Sequence, residues 1–152
     1  MAPELKFLFE ARVALGTPVE IGVLPSGNER RVIPILGGTF EGPFLRGHVL
    51  PGGADWQIVH ADGSAELDAR YTLQTDTGAL ILVFNRGVRR GPPEVLAKLR
   101  AGEPVPAASY YFRSVPQFET SDPGLQWLCG SIFLCSGERL PAQVILRFWE
   151  VC

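Results

Sequence analysis

Between Leu5 and Leu15 every odd position is apolar, while Lys6, Glu10 and Arg12 occupy even positions. Side chains of an extended chain point alternately to opposite faces, so this run predicts a long strand with one buried side. "AELDARYTLQT" alternates equally cleanly, with Ala65, Leu67, Ala69, Tyr71 and Leu73 set against Glu66, Asp68, Arg70, Thr72 and Gln74. "ERRVIPIL", "FLRGHVL", "DWQIVH", "ASYYFRSVPQFE", "WLCGSIFLCSG" and "AQVILRFWEVC" read as further strands, and Pro34 places its strand at an edge, an end or a bulge. "ALILVFNRGV" is apolar on both faces and predicts a central strand in a covered sheet. Turn chemistry separates these runs at Ser26-Gly27-Asn28, Asp62-Gly63, Asp76-Thr77-Gly78, Asp122-Pro123-Gly124 and Ser136-Gly137.

One segment argues for a helix. After Pro92-Pro93, "EVLAKLRAGE" sets Val95, Leu96 and Leu99 on one side and predicts a short helix near residues 93–101. About eight to ten short strands with one helix define an all-β chain, either an antiparallel sandwich or a barrel. A closed antiparallel barrel is favoured, because the alternating strands at the two ends of the chain can pair and remove the exposed edges.

The remaining bounds are mostly exclusions. With 152 residues, a single β-barrel domain spanning 1–152 is expected, and no linker or repeat divides it. A net charge of −2, with arginines scattered among acids, gives no basic stripe for nucleic acid. "MAPELKFLFEARVAL" has neither the basic start nor the apolar run of a leader, and no segment reaches membrane-spanning length, so a cytoplasmic location without membrane association is expected. Cys129, Cys135 and Cys152 have no zinc spacing with His48 or His60, and buried or half-buried thiols are expected with no metal and no cofactor.

Asp55-Trp56 follows the Pro51-Gly52-Gly53 turn. Asp55 either accepts hydrogen bonds from its own turn while Trp56 plugs the barrel end, or stands beside an aromatic wall as a carboxylate whose pKa burial can adjust. Glu41, in the Gly-rich "GGTFEGPFLRG", is an acid that a pure turn does not need. Arg70 lies on a solvated outer face or, with the polar register turned inward, binds an anionic oxygen. Tyr111 and Arg113 share one face and would suit a developing oxyanion if they converged in the barrel mouth, with Glu119 at the rim and Trp127 as a cap.

"GGTFEGPFLRGHVLPGGADWQ", "LDARYTLQTDTGALILVFNRGVR", "YYFRSVPQFETSDPGLQWL" and "PAQVILRFWEV" together resemble the domain of unknown function 3237 family, also called uncharacterised protein family 0311. The resemblance runs from about Leu5 to the carboxyl end. It implies a closed, calycin-like antiparallel β-barrel with one helix, a homo-oligomer, and no settled activity. Two departures stand out: Thr77-Gly78 where the family often has Asp-Gly, and Cys129 where Asn is expected after Trp-Leu.

The chain is thus expected to be a cofactor-independent enzyme using acid/base chemistry, of isomerase, cyclase or lyase type. Its expected substrate is a small, partly apolar carbonyl or carboxylate compound in the barrel cavity. Asp55 and Glu41 are the candidate acid and base, Arg70 and Tyr111 complete the catalytic set, and Trp56, Arg113, Glu119 and Trp127 bind ligand. The alternatives are a small-molecule-binding barrel without turnover and a structural barrel filled by its own side chains.

Overall fold

The computed structural model describes residues 1–152. Ten strands form one antiparallel sheet: β1 (Leu5–Leu15), β2 (Val19–Val23), β3 (Glu29–Glu41), β4 (Arg46–Val49), β5 (Gly53–Val59), β6 (Ala65–Thr75), β7 (Leu80–Arg90), β8 (Tyr111–Glu119), β9 (Ile132–Arg139) and β10 (Gln143–Val151). The first and last strands pair from Leu5 opposite Val151 to Ala14 opposite Gln143. Because β1 also pairs with β3, the sheet closes on itself. The short strands β4 and β5 share one position in the wall, each lying between β3 and β6, and β2 lies outside the ring against β3 alone.

Pro34 sits where β3 changes neighbours. β2 pairs as far as Val19 opposite Val32, and β1 takes over at Leu15 opposite Ile35. A residue with no N–H to donate fits at this handover, as a proline inside a strand requires. Pro116 on β8 is comparable: the ladder to β9 holds at Arg113 opposite Ser136 and Ser114 opposite Cys135 and continues no further toward Pro116.

Alternation decides the interior. On β6 the buried face carries Ala65, Leu67, Tyr71, Leu73 and Thr75; on β7 it carries Ile81, Val83, Asn85 and Arg89; on β8 it carries Phe112, Ser114, Pro116 and Phe118. One end of the barrel is filled by aromatic rings. Phe148 has no exposed surface and lies 4.4 Å from Phe9 and 6.1 Å from Phe118, centroid to centroid, while Phe118 meets Phe133 edge-on at 5.0 Å. The other end is covered by α1 (Pro93–Arg100), which buries Leu96 and Leu99. Pro93 opens this helix, as the missing N–H of its first turn allows, and Leu96 packs against the β5–β6 turn at Gly63. Arg100 pairs with Glu29 at 2.5 Å and lies 3.9 Å from Glu20, tying the helix to β3 and β2.

The structure corrects the simple alternation in three places. β1 carries a register shift between Phe7 and Phe9, so Leu8 and Phe9 are both buried while Leu5 and Phe7 are exposed. The outer side of β7 is not covered: Leu80, Leu82 and Val88 face solvent. β2 has no counterpart among the predicted elements, and the strands expected from "ASYYFRSVPQFE" and "WLCGSIFLCSG" start late, at Tyr111 and Ile132, because Ala107–Ser109 and Pro123–Cys129 are 3-10 turns. Of the cysteines, Cys135 is buried whereas Cys129 and Cys152 are exposed, and all three are free thiols.

The ring cluster closes the end opposite α1, so Phe148→Ala removes contacts from several strands at once. A loss of about 3–5 kcal/mol is expected. Chemical denaturation of the two proteins reads it directly, as a lower midpoint at unchanged slope.

Candidate functional site

A closed barrel of this size normally fills with apolar side chains, and most of this one does, but Arg31, Gln57, Asn85, Arg89 and Ser114 are buried in it as well. The pairing registers line up one level of the inner wall as Ile33, Asp55, Ala69, Asn85 and Pro116, on β3, β5, β6, β7 and β8. The next level toward α1 brings Arg31, Gln57, Leu67, Gly87, Ser114 and Cys135 together. Beyond it Arg89 stands between Ala65 and Phe112. Ala69 and Gly87 are the small members of these rows, and at Gly87 the backbone of β8 and Ser114 pack so closely that a Cβ would lie 2.2 Å from Arg113 O.

Asp55 is the ionisable centre of this band. The β5–β6 ladder pairs Asp55 with Ala69 and resumes at Ile58 opposite Glu66. Between them the Asp68 N–H donates instead to Asp55 Oδ1, at 3.0 Å. Gln57 Nε2 donates to Asp55 Oδ2 at 2.9 Å. Asp55 therefore does not cap the Gly52-Gly53 turn; its carboxyl is built into the wall. It is partly accessible yet densely surrounded, and burial pushes its pKa above the ordinary carboxylate value despite these two hydrogen bonds and the nearby Arg89 charge.

The neighbouring groups are held in defined protonation states. Burial raises the Tyr71 phenol far above its usual range, so it is a neutral hydrogen-bond donor at physiological pH. Burial likewise lifts the Cys135 thiol to about 12, which leaves it a neutral thiol and a poor nucleophile. Asn85 Nδ2 reaches toward Cys135 Sγ at 3.8 Å. Gln57 Oε1, Tyr71 Oη, Asn85 Oδ1, Arg89 Nε and Ser114 Oγ are all buried and make no hydrogen bond within the chain. Buried polar atoms are nearly always partnered, so this concentration, in which Tyr71 lies beside Asn85 and Ser114 beside Cys135, sets this inner wall apart from the rest of the core.

Most other residues singled out in the sequence stand elsewhere. Arg70 is exposed on the outer face of β6, 3.7 Å from Asp68 and over the Phe84 ring, so its inward register does not hold. Tyr111 and Arg113 share a face as expected, but it is the outer one; Arg113 and Arg90 both lie over the Tyr111 ring. They do not converge in the barrel. Trp56 points outward and does not plug the barrel. Glu41 and Glu119 are exposed at the ends of β3 and β8, near the aromatic end and away from Asp55. Trp127 packs 6.4 Å from Phe44 and 6.5 Å from Phe133. It walls a surface cleft of about 320 Å³ together with Lys6, Phe44 and Glu150, separate from the Asp55 band. No three His, Cys, Asp or Glu side chains gather in a metal-binding group. No helix is long and apolar enough to cross a membrane.

Gln57, Tyr71, Asn85, Arg89 and Ser114 were missed by the sequence reading. Each is a polar residue in phase with an apolar stripe: Gln57 with Val59, Asn85 with Ile81 and Val83, Ser114 with Phe112 and Phe118. That phase is the signal that identifies them.

The fold and its interior define a closed antiparallel β-barrel of eight wall positions with two extra strands, plugged by aromatics at one end and lined by polar groups at the other. The chain belongs to the family described as "Protein of unknown function (DUF3237)", which matches residues 3–151. It is 40% identical over 144 residues to a UPF0311 protein of Clostridium acetobutylicum, covering 95% of this chain and 91% of that one. The crystal structure of a conserved protein of unknown function from Rhodopseudomonas palustris superimposes with a TM-score of 0.93 at 39% identity, covering 100% of this chain and 99% of the other. More distantly, 81 residues are 37% identical to a hydroalkoxylation enzyme of Penicillium herquei, 53% of each chain. A crystal structure of an enzyme from the same fungus shares the fold, with a TM-score of 0.75 at 23% identity over 100% of this chain and 96% of that one.

The raised pKa of Asp55 has a consequence for stability. Between 3.8, its ordinary value, and its higher folded value, the folded chain keeps a proton that the unfolded chain releases. Stability contributed by this group is therefore present at low pH, falls as pH rises through that window, and levels off above it. Asp55→Asn removes the decline: the variant should melt higher than the wild type at neutral pH and lose that advantage toward pH 4, as scanning calorimetry across pH will show. Gln57 accommodates the change by turning its amide so that Oε1 accepts from the new amide nitrogen.

Proposed function

We infer that the chain is a cofactor-independent enzyme that moves protons on a small, partly apolar carbonyl or carboxylate compound held inside the barrel, in an isomerisation, cyclisation or elimination. The observation that carries this reading is a desolvated Asp55 carboxyl among buried polar atoms that the chain leaves without partners. A carboxyl with a raised pKa gives up a proton to a reacting atom and takes one back near working pH. The Tyr71 and Ser114 hydroxyls, on β6 and β8, would donate to a substrate oxygen as charge develops on it.

The hydroalkoxylation relative supports the same class of chemistry. Adding an alcohol O–H across a carbon–carbon double bond moves one proton from oxygen to carbon, with no oxidant or reductant. One carboxyl that protonates the carbon and later accepts the hydroxyl proton closes that cycle. Of the expected catalytic residues, Asp55 is retained in this role, and the interior groups replace Arg70, Tyr111 and Glu41.

Incubating the protein in deuterium oxide with a panel of unsaturated carbonyl compounds and hydroxy-enones tests the reading. Deuterium incorporated at carbon by the wild type, lowered about a hundredfold or more in Asp55→Asn, is the expected result. No incorporation by folded wild type across the panel, or equal rates in the variant, overturns it; tight retention without exchange favours the binding barrel. Self-association is part of the proposal, with the exposed Leu82, Val88 and Val115 on the outer face of β7 and β8 as the surface. Sedimentation equilibrium showing a monomer removes it.

A further inference from the structure

At the aromatic end of the barrel the buried stripe of β10 runs through Leu146 and Phe148 and then meets Glu150. Directly across the β1–β10 ladder stands Lys6, and residues so opposed share a face of the sheet. Opposite charges in that relation normally engage one another. Here neither side chain enters a salt bridge. The Lys6 ammonium lies over the Phe44 ring instead, 4.5 Å from its centroid, and Glu150 Oε1 accepts from the Ser131 hydroxyl at 2.7 Å. The three donors of the ammonium and the second carboxylate oxygen are left for other partners.

Both charges line the cleft of about 320 Å³ that Phe44 and Trp127 wall, and its floor is apolar, with Leu8 and Leu45 buried beneath it. Phe44 is 54% exposed and Trp127 37%, and the two rings meet edge-on at 6.4 Å. Trp127 is firmly presented. Leu128 beside it is buried, Asp122 Oδ1 accepts from the Gly124 N–H, and Gln126 Nε2 donates to the carbonyl oxygens of Thr120 and Asp122. Small-molecule sites enclose roughly 300–1,000 Å³ and are walled mostly by apolar and aromatic groups with a few polar ones, which is the composition of this cleft.

We propose that this cleft binds an aromatic α-amino acid, with its ring against Phe44 and Trp127, its carboxylate on the Lys6 ammonium and its ammonium on Glu150. The site is separate from the Asp55 wall and does not rest on the reaction assigned there. The zwitterion follows from the two charges. A guest with a carboxylate alone meets Lys6 but also faces Glu150, and an amine meets Glu150 but also faces Lys6, so each gains one attraction and one repulsion. An α-amino acid carries both charges on one carbon and meets each side chain with the opposite sign. Its ring completes an aromatic corner in the edge-on and offset geometries that such rings prefer. The contact of Lys6 with Phe44 is a weak one at an exposed site, and it is exchanged for an ion pair when the guest's ring takes that face.

Calorimetric titration with L-phenylalanine, against 3-phenylpropionate and 2-phenylethylamine, tests this. Wild type should bind the amino acid at least about fivefold more tightly than either single-charge analogue. Lys6→Met should lower the amino acid to the level of the amine, and Glu150→Gln should lower it to the level of the acid. Trp127→Ala should weaken all three. Folded wild type that binds none of them, or binds the three equally, overturns the proposal. So does an undiminished preference for the amino acid in Lys6→Met or in Glu150→Gln. Unweakened binding in Trp127→Ala overturns it too, because the compounds then bind elsewhere. If Trp127→Ala does not fold, Phe44→Ala, in the exposed loop between β3 and β4, is read in its place.

Discussion

Pairing of β1 with β10 is the constraint on which the rest of the molecule depends. It joins the two ends of the chain into one ladder and removes both edges of a long sheet, which would otherwise expose unpaired backbone groups. It also turns about half of the side chains of each strand in the closed wall into a shared interior, leaving only β2 outside. Once the ring is closed, what a residue does is decided by its parity on its strand and its level along the barrel. Every polar residue at an inward position then meets groups from several other strands.

The interior divides its work by level. At one end Phe9, Phe118, Phe133 and Phe148 pack without polar atoms and supply burial. At the other, Asp55, Gln57, Asn85, Arg89 and Ser114 give up that burial, and several of them leave atoms without partners. Such groups lower stability unless something compensates, and the aromatic end is the compensation the structure provides. The same desolvation that weakens the fold at Asp55 raises its pKa toward the range where proton transfer is efficient. In the proposed role of Asp55, stability and reactivity would share this one physical cause, acting with opposite sign.

Much of the fold was legible because alternation is a direct consequence of strand geometry. "AELDARYTLQT" became β6 with the boundaries of its pattern, and Pro93 and Gly102 bracketed the helix. What alternation cannot show is a register shift, since the extra residue between Phe7 and Phe9 leaves composition unchanged. Of the candidate residues singled out in the sequence, only Asp55 lies on the inner wall among the buried polar groups. Arg70, Tyr111 and Arg113 lie on the polar faces of their strands, and those faces point to solvent.

The converse rule is more useful. A strand with one apolar stripe states which face is inside, so a polar residue in phase with that stripe is buried whatever its type. Asn85 follows Ile81 and Val83, and Arg89 comes four residues further on the same face, where a strand only packing a core would carry Val or Leu. A single such residue can be absorbed by a local hydrogen bond. Asn85 and Arg89 on β7, with Ser114 on β8 and Gln57 on β5, cannot all be absorbed that way, because antiparallel pairing sets them on one wall and five of the polar atoms on that wall remain unpartnered. The polar wall is therefore a property of the pairing register: sliding β7 by one residue would send Asn85 and Arg89 to solvent and dissolve it.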